Sequence, residues 1–174
     1  MLKVCKNFLV LGLALVILLT GCGLISVTFL LDEDIDTTGV PADLFIYNVD
    51  VTDEEDWEDH KDDIQQVNWV SFEFYLTNPG GADISFDGYI DDIDNALCTT
   101  IPCAEGATRV LKDITIPAGG STHISMGNSF AYQENVDILK NLAESGAFHF
   151  YGVSDGGAFV LDSGRVVVAI VAGI

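Results

Sequence analysis

Basic side chains are scarce in this sequence. The 174 residues include 7 lysines and arginines against 27 aspartates and glutamates, which gives a formal net charge of −20. A surface so rich in carboxylates repels the phosphates of nucleic acids and the anionic headgroups of lipids. The composition therefore excludes a nucleic-acid-binding protein, and it excludes a protein that is held on a membrane by charge attraction alone.

The sequence also lacks the short patterns that accompany common enzymatic chemistry. It contains no Gly-x-Ser-x-Gly, no glycine-rich phosphate loop ahead of a helix and no Cys-x-x-Cys. Ser129 lies in a segment whose alternation predicts a strand, and His123 and His149 alternate with apolar neighbours as strand residues do. His60 is the third histidine, and none is at zinc-ligand spacing from another. We predict a non-enzymatic protein, with an unrecognised envelope hydrolase as the alternative.

The N-terminal apolar run, residues 8–19, is about a dozen residues long, too short to span the ~30 Å hydrocarbon core of a bilayer as a helix. It follows two lysines and fits the apolar part of a secretory signal. The run ends in Leu-Thr-Gly-Cys at residues 19–22, which resembles the lipobox of bacterial lipoproteins. The resemblance implies that a diacylglycerol is joined to the Cys22 thiol. Residues 1–21 are then removed as a signal peptide, and the new N-terminus receives an acyl chain such as palmitate. An uncleaved membrane anchor with a chance cysteine is the alternative.

Removal of the signal peptide makes the protein still more acidic. Residues 22–174 keep 5 of the basic residues and all 27 acidic ones, so their formal charge is 5 − 27 = −22. Such a domain needs its covalent lipid to stay at a membrane, and two acyl chains are enough for stable anchoring. We expect the cell envelope, on the extracytoplasmic side. Gly23 rather than aspartate follows the cysteine, which favours the outer membrane or cell surface. The expected partners are the membrane and an unidentified protein or other envelope component.

Residues 22–174 are expected to form one domain, because no Pro/Ser-rich linker interrupts them. Most of this part alternates apolar and polar residues with the period of a half-buried strand. The clearest case is residues 68–78, where one face carries Val70, Phe72, Phe74 and Leu76, and the other carries Ser71, Glu73, Tyr75 and Thr77. Residues 32–41 are interpreted as a connection. Short strands at roughly 8–15-residue intervals indicate an all-β protein, an immunoglobulin/fibronectin-III-like β-sandwich.

One segment departs from this alternation and has helical spacing. Val136, Leu139, Leu142 and Ala143 recur at the period of one helix face. Asn135 is the expected N-cap and Gly146 the expected stop. We therefore predict one short helix near the C-terminal end of the sandwich.

The order of strands and turns resembles the LEA-14 / WHy (water stress and hypersensitive response) domain family, which also occurs in bacterial lipoproteins. The shared features are Asn78-Pro79 after a strand, a predicted hairpin between residues 68–78 and 82–90, Ile-Pro-Ala-Gly at 116–119, the helix, and Tyr151-Gly152 before a final hairpin that turns at Asp162-Ser163-Gly164. The resemblance covers about residues 43–172. It implies a fibronectin-III-like sandwich associated with desiccation or stress protection. The chain departs from the family in its Asn-Pro-Gly, its acidic insertion and its cysteine pair.

Two cysteines of the predicted mature chain lie close together. Cys98 and Cys103 enclose four residues in Cys-Thr-Thr-Ile-Pro-Cys. Two nearby thiols usually oxidise after export, so we predict a local disulfide between them. Cys5 belongs to the signal peptide and has no predicted role.

The densest acidic run extends from Asp50 to Asp63. Asp53, Asp56, Asp59 and Asp63 could supply carboxylate oxygens to Ca²⁺. The protein would then be a Ca²⁺-dependent surface adhesion or assembly module. The run lacks EF-hand spacing, and Trp57 and Ile64 suggest a solvated loop or short helix that packs inward at two points. A second cluster, Asp87, Asp91, Asp92 and Asp94, has the same two interpretations. We favour the solvated segments, with no cofactor other than the lipid at Cys22.

This choice predicts the response to divalent ions. At a constant salt concentration of about 0.15 M, Ca²⁺ and Mg²⁺ should raise the melting temperature by similarly small amounts, because screening of self-repulsion does not distinguish them. Differential scanning fluorimetry of the purified protein measures both. A saturating, Ca²⁺-selective rise at micromolar concentration, lost in the Asp56→Asn/Asp59→Asn double variant, would establish a Ca²⁺ site instead.

Overall fold

The computed structural model of the chain describes residues 26–35, 39–52 and 54–173. Within these residues, eight antiparallel strands form two four-stranded sheets. The strands are β1 (Ser26–Ile35), β2 (Leu44–Asp50), β3 (Ile64–Thr77), β4 (Ile84–Asp92), β5 (Thr108–Ile116), β6 (Ser121–Ile124), β7 (Ala147–Asp155) and β8 (Val160–Gly173). The helical segments are α1 (Glu55–His60), a 3₁₀ turn (Lys61–Asp63), α2 (Ile101–Ala104), α3 (Met126–Ser129) and α4 (Val136–Ala143).

The predicted all-β sandwich is confirmed, and so is the short helix near its C-terminal end, α4. The first sheet has the order β1-β8-β3-β6 and the second has the order β2-β7-β4-β5. Among the described strands only β4 and β5 are consecutive neighbours within a sheet; the other connections pass between the sheets. This is the connectivity of an eight-stranded jelly roll. It refines the sequence-based prediction, since an immunoglobulin sandwich has a different division of strands.

The core lies between the two sheets and is rich in phenylalanine. Phe72 and Phe74 of the first sheet face inward as predicted, and both are fully buried. The Phe74 ring centroid lies 6.1 Å from that of Phe86 and 5.5 Å from that of Phe150, both of the second sheet. Large buried rings in these tilted and edge-on arrangements contribute both apolar burial and favourable ring contacts. They join the inner faces of the two sheets.

The predicted hairpin between residues 68–78 and 82–90 is wrong. β3 pairs with β6 and β8, whereas β4 pairs with β5 and β7, so the two strands lie in different sheets. Alternation predicted correctly which side chains face inward, but every strand of a sandwich has the same period. The pattern therefore carries no information about which strand lies beside which.

The connection between these strands is built around Asn78, whose side chain is buried. Its Nδ2 donates to the carbonyl of Ala82 at 2.8 Å and to that of Ile116 at 3.2 Å. Its Oδ1 accepts from the backbone N–H of Gly80 at 2.8 Å. The amide thus pairs with backbone groups that would otherwise be left without partners as the chain crosses from one sheet to the other.

The final hairpin at Asp162-Ser163-Gly164 is also wrong, because all three residues lie inside β8. Tyr75 pairs with Ser163 and Leu76 pairs with Leu161, so Asp162 is an extra residue at a β-bulge. At Gly164, a Cβ atom would lie 3.1 Å from the Ile35 side chain and 3.2 Å from that of Phe74. The Asp-Ser-Gly sequence is typical of a turn. Here Asp162 forms a bulge, and Gly164 allows the side chains of Ile35 and Phe74 to lie close to the backbone.

The first strand is longer than predicted. The sequence predicts a connection from residue 32 onward, but residues 32–35 pair with β8 and end at the buried Ile35. The carboxylates of Asp32 and Asp34 lie 3.0 and 3.1 Å from Nε of Arg165 on the neighbouring strand. This cross-strand pairing explains how an acidic segment continues the strand.

The C-terminal helix begins at Val136 as the sequence predicts, and it ends at Ala143, three residues before the expected stop at Gly146. Asn135 precedes α4 in a left-handed conformation, but its side chain does not cap the helix; Nδ2 donates to the carbonyl of Arg109 at 2.8 Å. Gly146 follows the helix with a φ of +84°, and a Cβ there would lie 2.5 Å from the Trp57 ring. The stop position therefore requires glycine both for its φ and for its contact with α1.

Asn78→Ala should lower the free energy of unfolding by about 1–3 kcal/mol, because it leaves buried backbone groups unpaired. Urea denaturation followed by circular dichroism measures this. Asn141→Ala, at an exposed position of α4, is the matched control and should change stability by less than about 0.5 kcal/mol. Equal stabilities for the two variants would contradict the proposed role of Asn78.

Candidate functional site

The predicted lipidation residue, Cys22, lies outside the described residues, but the structure places the chain that follows it. β1 begins at Ser26, four residues after Cys22, and pairs there with Gly173 at the end of β8. Ile64, at the start of β3, pairs with Ala172 beside it. We call this end of the sandwich, marked by Ser26, Ile64 and Gly173, the proximal end.

The acidic run from Asp50 to Asp63 lies at the proximal end. It forms α1 and the 3₁₀ turn, which contact β1 and β8 respectively. Trp57 is buried and Ile64 is half-buried against the core, as predicted, while Asp56, Asp59 and Asp63 are exposed; Asp53 lies outside the described residues. In the described part of the chain no group of three or more His, Cys, Asp or Glu side chains is placed to hold a metal ion.

The second acidic cluster makes local contacts instead of converging. Asp87 accepts from Arg109 at 3.2 Å and from the backbone N–H of Asp113 at 2.8 Å. Asp91 accepts from the Asn95 side chain at 2.6 Å. Asp92 accepts from the backbone N–H of Asp94 at 3.0 Å. These carboxylates stabilise the strand end and the turn that follows it.

Four of the five lysines and arginines in the described residues pair with carboxylates, the exception being Lys140. Arg109 donates to Glu134 at 2.5 Å, and Lys112 lies 3.2 Å from the same carboxylate. The hydrogen bond from Arg109 is the main cause that lowers the pKa of the Glu134 carboxyl. Lys61 pairs with Glu58 within α1 and its 3₁₀ extension. Because these cations are paired, the remaining charge on the surface comes mainly from unpaired carboxylates.

The predicted disulfide between Cys98 and Cys103 is present, with Cα atoms 5.4 Å apart. Its loop, with α2, lies over the outer face of the second sheet and buries Tyr151. The backbone N–H of Cys98 donates to the Tyr151 hydroxyl at 3.3 Å. Burial is likewise the main cause that raises the pKa of Tyr89. Because the loop covers this face, β7 is buried on both sides.

His149 is one of the side chains under this loop. Its Nδ1 lies 2.7 Å from Oδ1 of Asn48 and its Nε2 lies 3.3 Å from the carbonyl of Asn95. It is a packed strand residue, as predicted. The loop and the strand are joined here by a hydrogen-bonded histidine that solvent hardly reaches.

Ser129 lies in α3, not in a strand as predicted. The Ser125 hydroxyl accepts from the backbone N–H of Asn128 and starts the helix directly after β6. Ser129 is fully buried, and its hydroxyl donates to the carbonyl of Met126 at 2.9 Å. It also lies 3.1 Å from the hydroxyl of Ser71, which α3 covers although the alternation predicts an exposed side chain. A hydroxyl enclosed in this way cannot reach a substrate.

His123 is exposed on the outer face of the first sheet, as predicted for a strand residue. Its ring stacks on that of Tyr75 with a centroid distance of 3.9 Å. Its Nε2 lies 2.9 Å from Oε1 of Glu73. All three residues belong to the paired strands β3 and β6, and together they form a cross-strand contact on an open sheet surface.

An apolar group on the same face was not predicted from the sequence. Leu30 and Phe130 are exposed, and the Phe130 ring packs edge-on against Trp69 at 6.0 Å. The signal was Leu30 itself, which is apolar at a position where the alternation of β1 calls for a polar residue. A separate cleft between β2 and β8, lined by Val40, Ala42, Phe45, Phe159 and Leu161, has a volume of about 20 Å³, room for one water molecule.

No helix in the described ranges is both long and apolar enough to cross a membrane. No protein-family model matches the sequence, and no curated protein matches it. A solved structure of desmodium yellow mottle tymovirus is similar over 86% of this chain and 87% of that chain, with 6% identity and a TM-score of 0.39. A structure of infectious bursal disease virus, Gx strain, is similar over 84% of this chain, with 14% identity and a TM-score of 0.32; this chain spans 31% of its length. Scores this low support no inference about family or function, so the fold class rests on the strand order.

Replacing both Cys98 and Cys103 with serine should lower the free energy of unfolding by less than ~3 kcal/mol, the value for a 15-residue loop, because the closed loop is short. Chemical denaturation measures the loss, and Thr99→Ala, at an exposed position of the same loop, should leave stability unchanged. Peptide mapping without reductant should recover the cross-linked pair. Two free thiols in protein purified from the envelope would contradict the assignment.

Proposed function

We propose that the protein is a membrane-anchored, non-enzymatic lipoprotein of the cell envelope whose sandwich domain binds or protects other envelope macromolecules. The observation that carries this proposal is Leu-Thr-Gly-Cys at residues 19–22, placed four residues before the first strand at Ser26. In a lipoprotein the folded domain follows the lipidated cysteine. The same order is found here, because the first strand begins only four residues after Cys22.

The short distance between Cys22 and Ser26 limits how far the domain can lie from the membrane. Four residues span no more than about 14 Å when fully extended. A lipid on Cys22 would therefore hold the proximal end of the domain at the bilayer surface. The predicted mature charge of −22 would repel the domain from anionic headgroups, so the covalent lipid must supply the attachment.

Several contacts support a binding or protective role in preference to catalysis. Ser129 is buried within α3, and His149 is buried with its ring nitrogens near Asn48 and Asn95. His123 lies against Tyr75 and Glu73 on an open sheet face. The volume of the cleft at Phe159 is that of one water molecule. Each candidate group has a structural explanation that requires no substrate.

The stress-related form of this proposal rests on the resemblance to the LEA-14 / WHy family. Two features support the resemblance: β3 ends at Thr77, directly before Asn78-Pro79, and the helix α4 lies between β6 and β7. The two hairpins that were also part of it are absent from the strand pairing. We therefore derive the function from the anchor and its domain, with stress protection as one form that the protective role could take.

Mass spectrometry of protein extracted from membranes should find an acylated N-terminal peptide that begins at Cys22. Cys22→Ser should abolish both lipid attachment and cleavage before residue 22, because the thiol is the nucleophile that takes the lipid. Cys5→Ser, in the segment that is removed, is the matched control and should be processed normally. An intact Gly21–Cys22 bond in the native protein, or a Cys22→Ser variant that is still processed and membrane-bound, would refute the proposal.

A further inference from the structure

The outer face of the first sheet carries an apolar row near the proximal end. Leu30 of β1 pairs with Ala169 of β8, and Ala169 pairs with Trp69 of β3. Paired residues point to the same side of a sheet, and the next residues along these strands, such as Leu31 and Val70, point into the core. Phe130 extends the row through its contact with Trp69. We call Leu30, Ala169, Trp69 and Phe130 the outer row.

The outer row is open to solvent at both ends. Leu30 is 58% exposed and Phe130 is 47% exposed, while Trp69 is half-buried between them and Ala169 is covered. Leucine, tryptophan and phenylalanine together form a contiguous apolar strip instead of scattered single residues. Tryptophan is also the residue type that is enriched at the interface between lipid and water.

The distance between the outer row and the proposed anchor at Cys22 indicates that the bilayer covers the row. Leu30 lies four residues after Ser26 along β1, about 13 Å at the rise of a strand. The four residues from Cys22 to Ser26 can cover about the same distance, up to roughly 14 Å. A lipid on Cys22 can therefore enter the bilayer beside the outer row, with the sheet inclined toward the surface.

The charge distribution favours this inclined placement over an upright one. An upright domain would press the proximal end against the headgroups, and that end carries the exposed carboxylates of α1 and the 3₁₀ turn. On the inclined face, the carboxylates of Asp32, Asp34 and Glu73 lie beyond the row on the side away from Ser26. Asp32 and Asp34 both pair with Arg165, and Glu73 lies 2.9 Å from His123. Inclination thus brings the apolar row, rather than the unpaired excess of acidic groups, to the membrane.

We propose that the outer row seats the domain on the lipid surface, so that the sandwich leans on the bilayer through Leu30, Trp69 and Phe130. This inference rests on the proposed lipid anchor at Cys22. The row adds a second, non-covalent contact that sets the orientation of the domain. The outer face of the second sheet, with its disulfide loop, then points away from the membrane and toward any partner.

Quenching of tryptophan emission by brominated lipids tests the orientation, since the chain has two tryptophans. The lipidated protein is reconstituted in phosphatidylcholine vesicles with brominated or ordinary acyl chains. Trp57→Phe leaves Trp69 as the sole reporter, and Trp69→Phe leaves Trp57 at the proximal end. We expect brominated vesicles to reduce the Trp69 emission and to leave the Trp57 emission unchanged. Loss of Trp57 emission alone would indicate an upright domain and overturn the proposal.

A second comparison keeps both tryptophans, in case Trp57→Phe perturbs the core. Leu30→Ser combined with Phe130→Ser should abolish the quenching. Leu97→Ser, which changes a leucine of similar exposure at 45% outside the outer row, should not. Quenching that persists in the Leu30→Ser/Phe130→Ser protein would overturn the role of the row.

Flotation of the vesicles separates failure of the anchor from failure of the inference. Protein that floats with the vesicles but shows no quenching is anchored without being seated, which refutes the inference alone. Protein that does not float refutes the anchor and the inference together. Absence of quenching accompanied by self-association that Phe130→Ser abolishes would assign the row to a second copy of the chain and also overturn the proposal.

Discussion

The contact between the two inner sheet faces is the interaction on which the rest of this structure depends. Phe74 lies among three other rings, Phe72, Phe86 and Phe150, at centroid distances of 5.5 to 6.1 Å. This close packing leaves no room beside Phe86 for a side chain at residue 152; a Cβ on Gly152 would lie 2.7 Å from the Phe86 ring. Burial of large apolar rings stabilises a domain whose surface charges repel one another.

The outer faces of the two sheets differ in how far they are covered, and this difference is the basis of the orientation that we propose for the domain. The second sheet is covered by the connection between β4 and β5, where the disulfide loop buries Tyr151 and the carbonyl of Asn95 lies 3.3 Å from the buried His149. On the first sheet α3 covers Ser71, while Leu30 and Phe130 stay open to solvent. An exposed apolar strip of this kind is typical of a surface that contacts a partner or a membrane, and the proposed lipid anchor would bring the membrane close to it.

Charge and lipid have complementary roles in this view. Arg109 and Arg165 each pair with two carboxylates. Neither arginine is therefore the centre of a basic patch. Such a domain stays soluble and does not adhere to anionic surfaces by attraction. In the proposed function, attachment would therefore depend on covalent lipid and on apolar contact, both of which are insensitive to the sign of the surface charge.

The sequence by itself determined the features that depend on neighbouring residues. Alternation at Phe72 and Phe74 predicted which side of β3 is buried, helical spacing predicted α4, and proximity predicted the Cys98–Cys103 bond. The lipobox at Cys22 is likewise a local pattern, and it stays a prediction.

Strand pairing and surface exposure were decided only by the tertiary structure. Asn78 and Asp162 suggested hairpins, because turn residues are recognised from local composition. In the structure Asn78 lies where the chain crosses between the sheets, and Asp162 lies at a bulge within β8. Ser71 and Ser129 are buried together since a four-residue helix folds back over β3, which no local period encodes. Leu30 and Trp69 become neighbours through Ala169, a residue 100 or more positions away in the chain. Periodicity specifies the face of a strand and is the same for every strand, so the choice of partner depends on how all the faces pack at once.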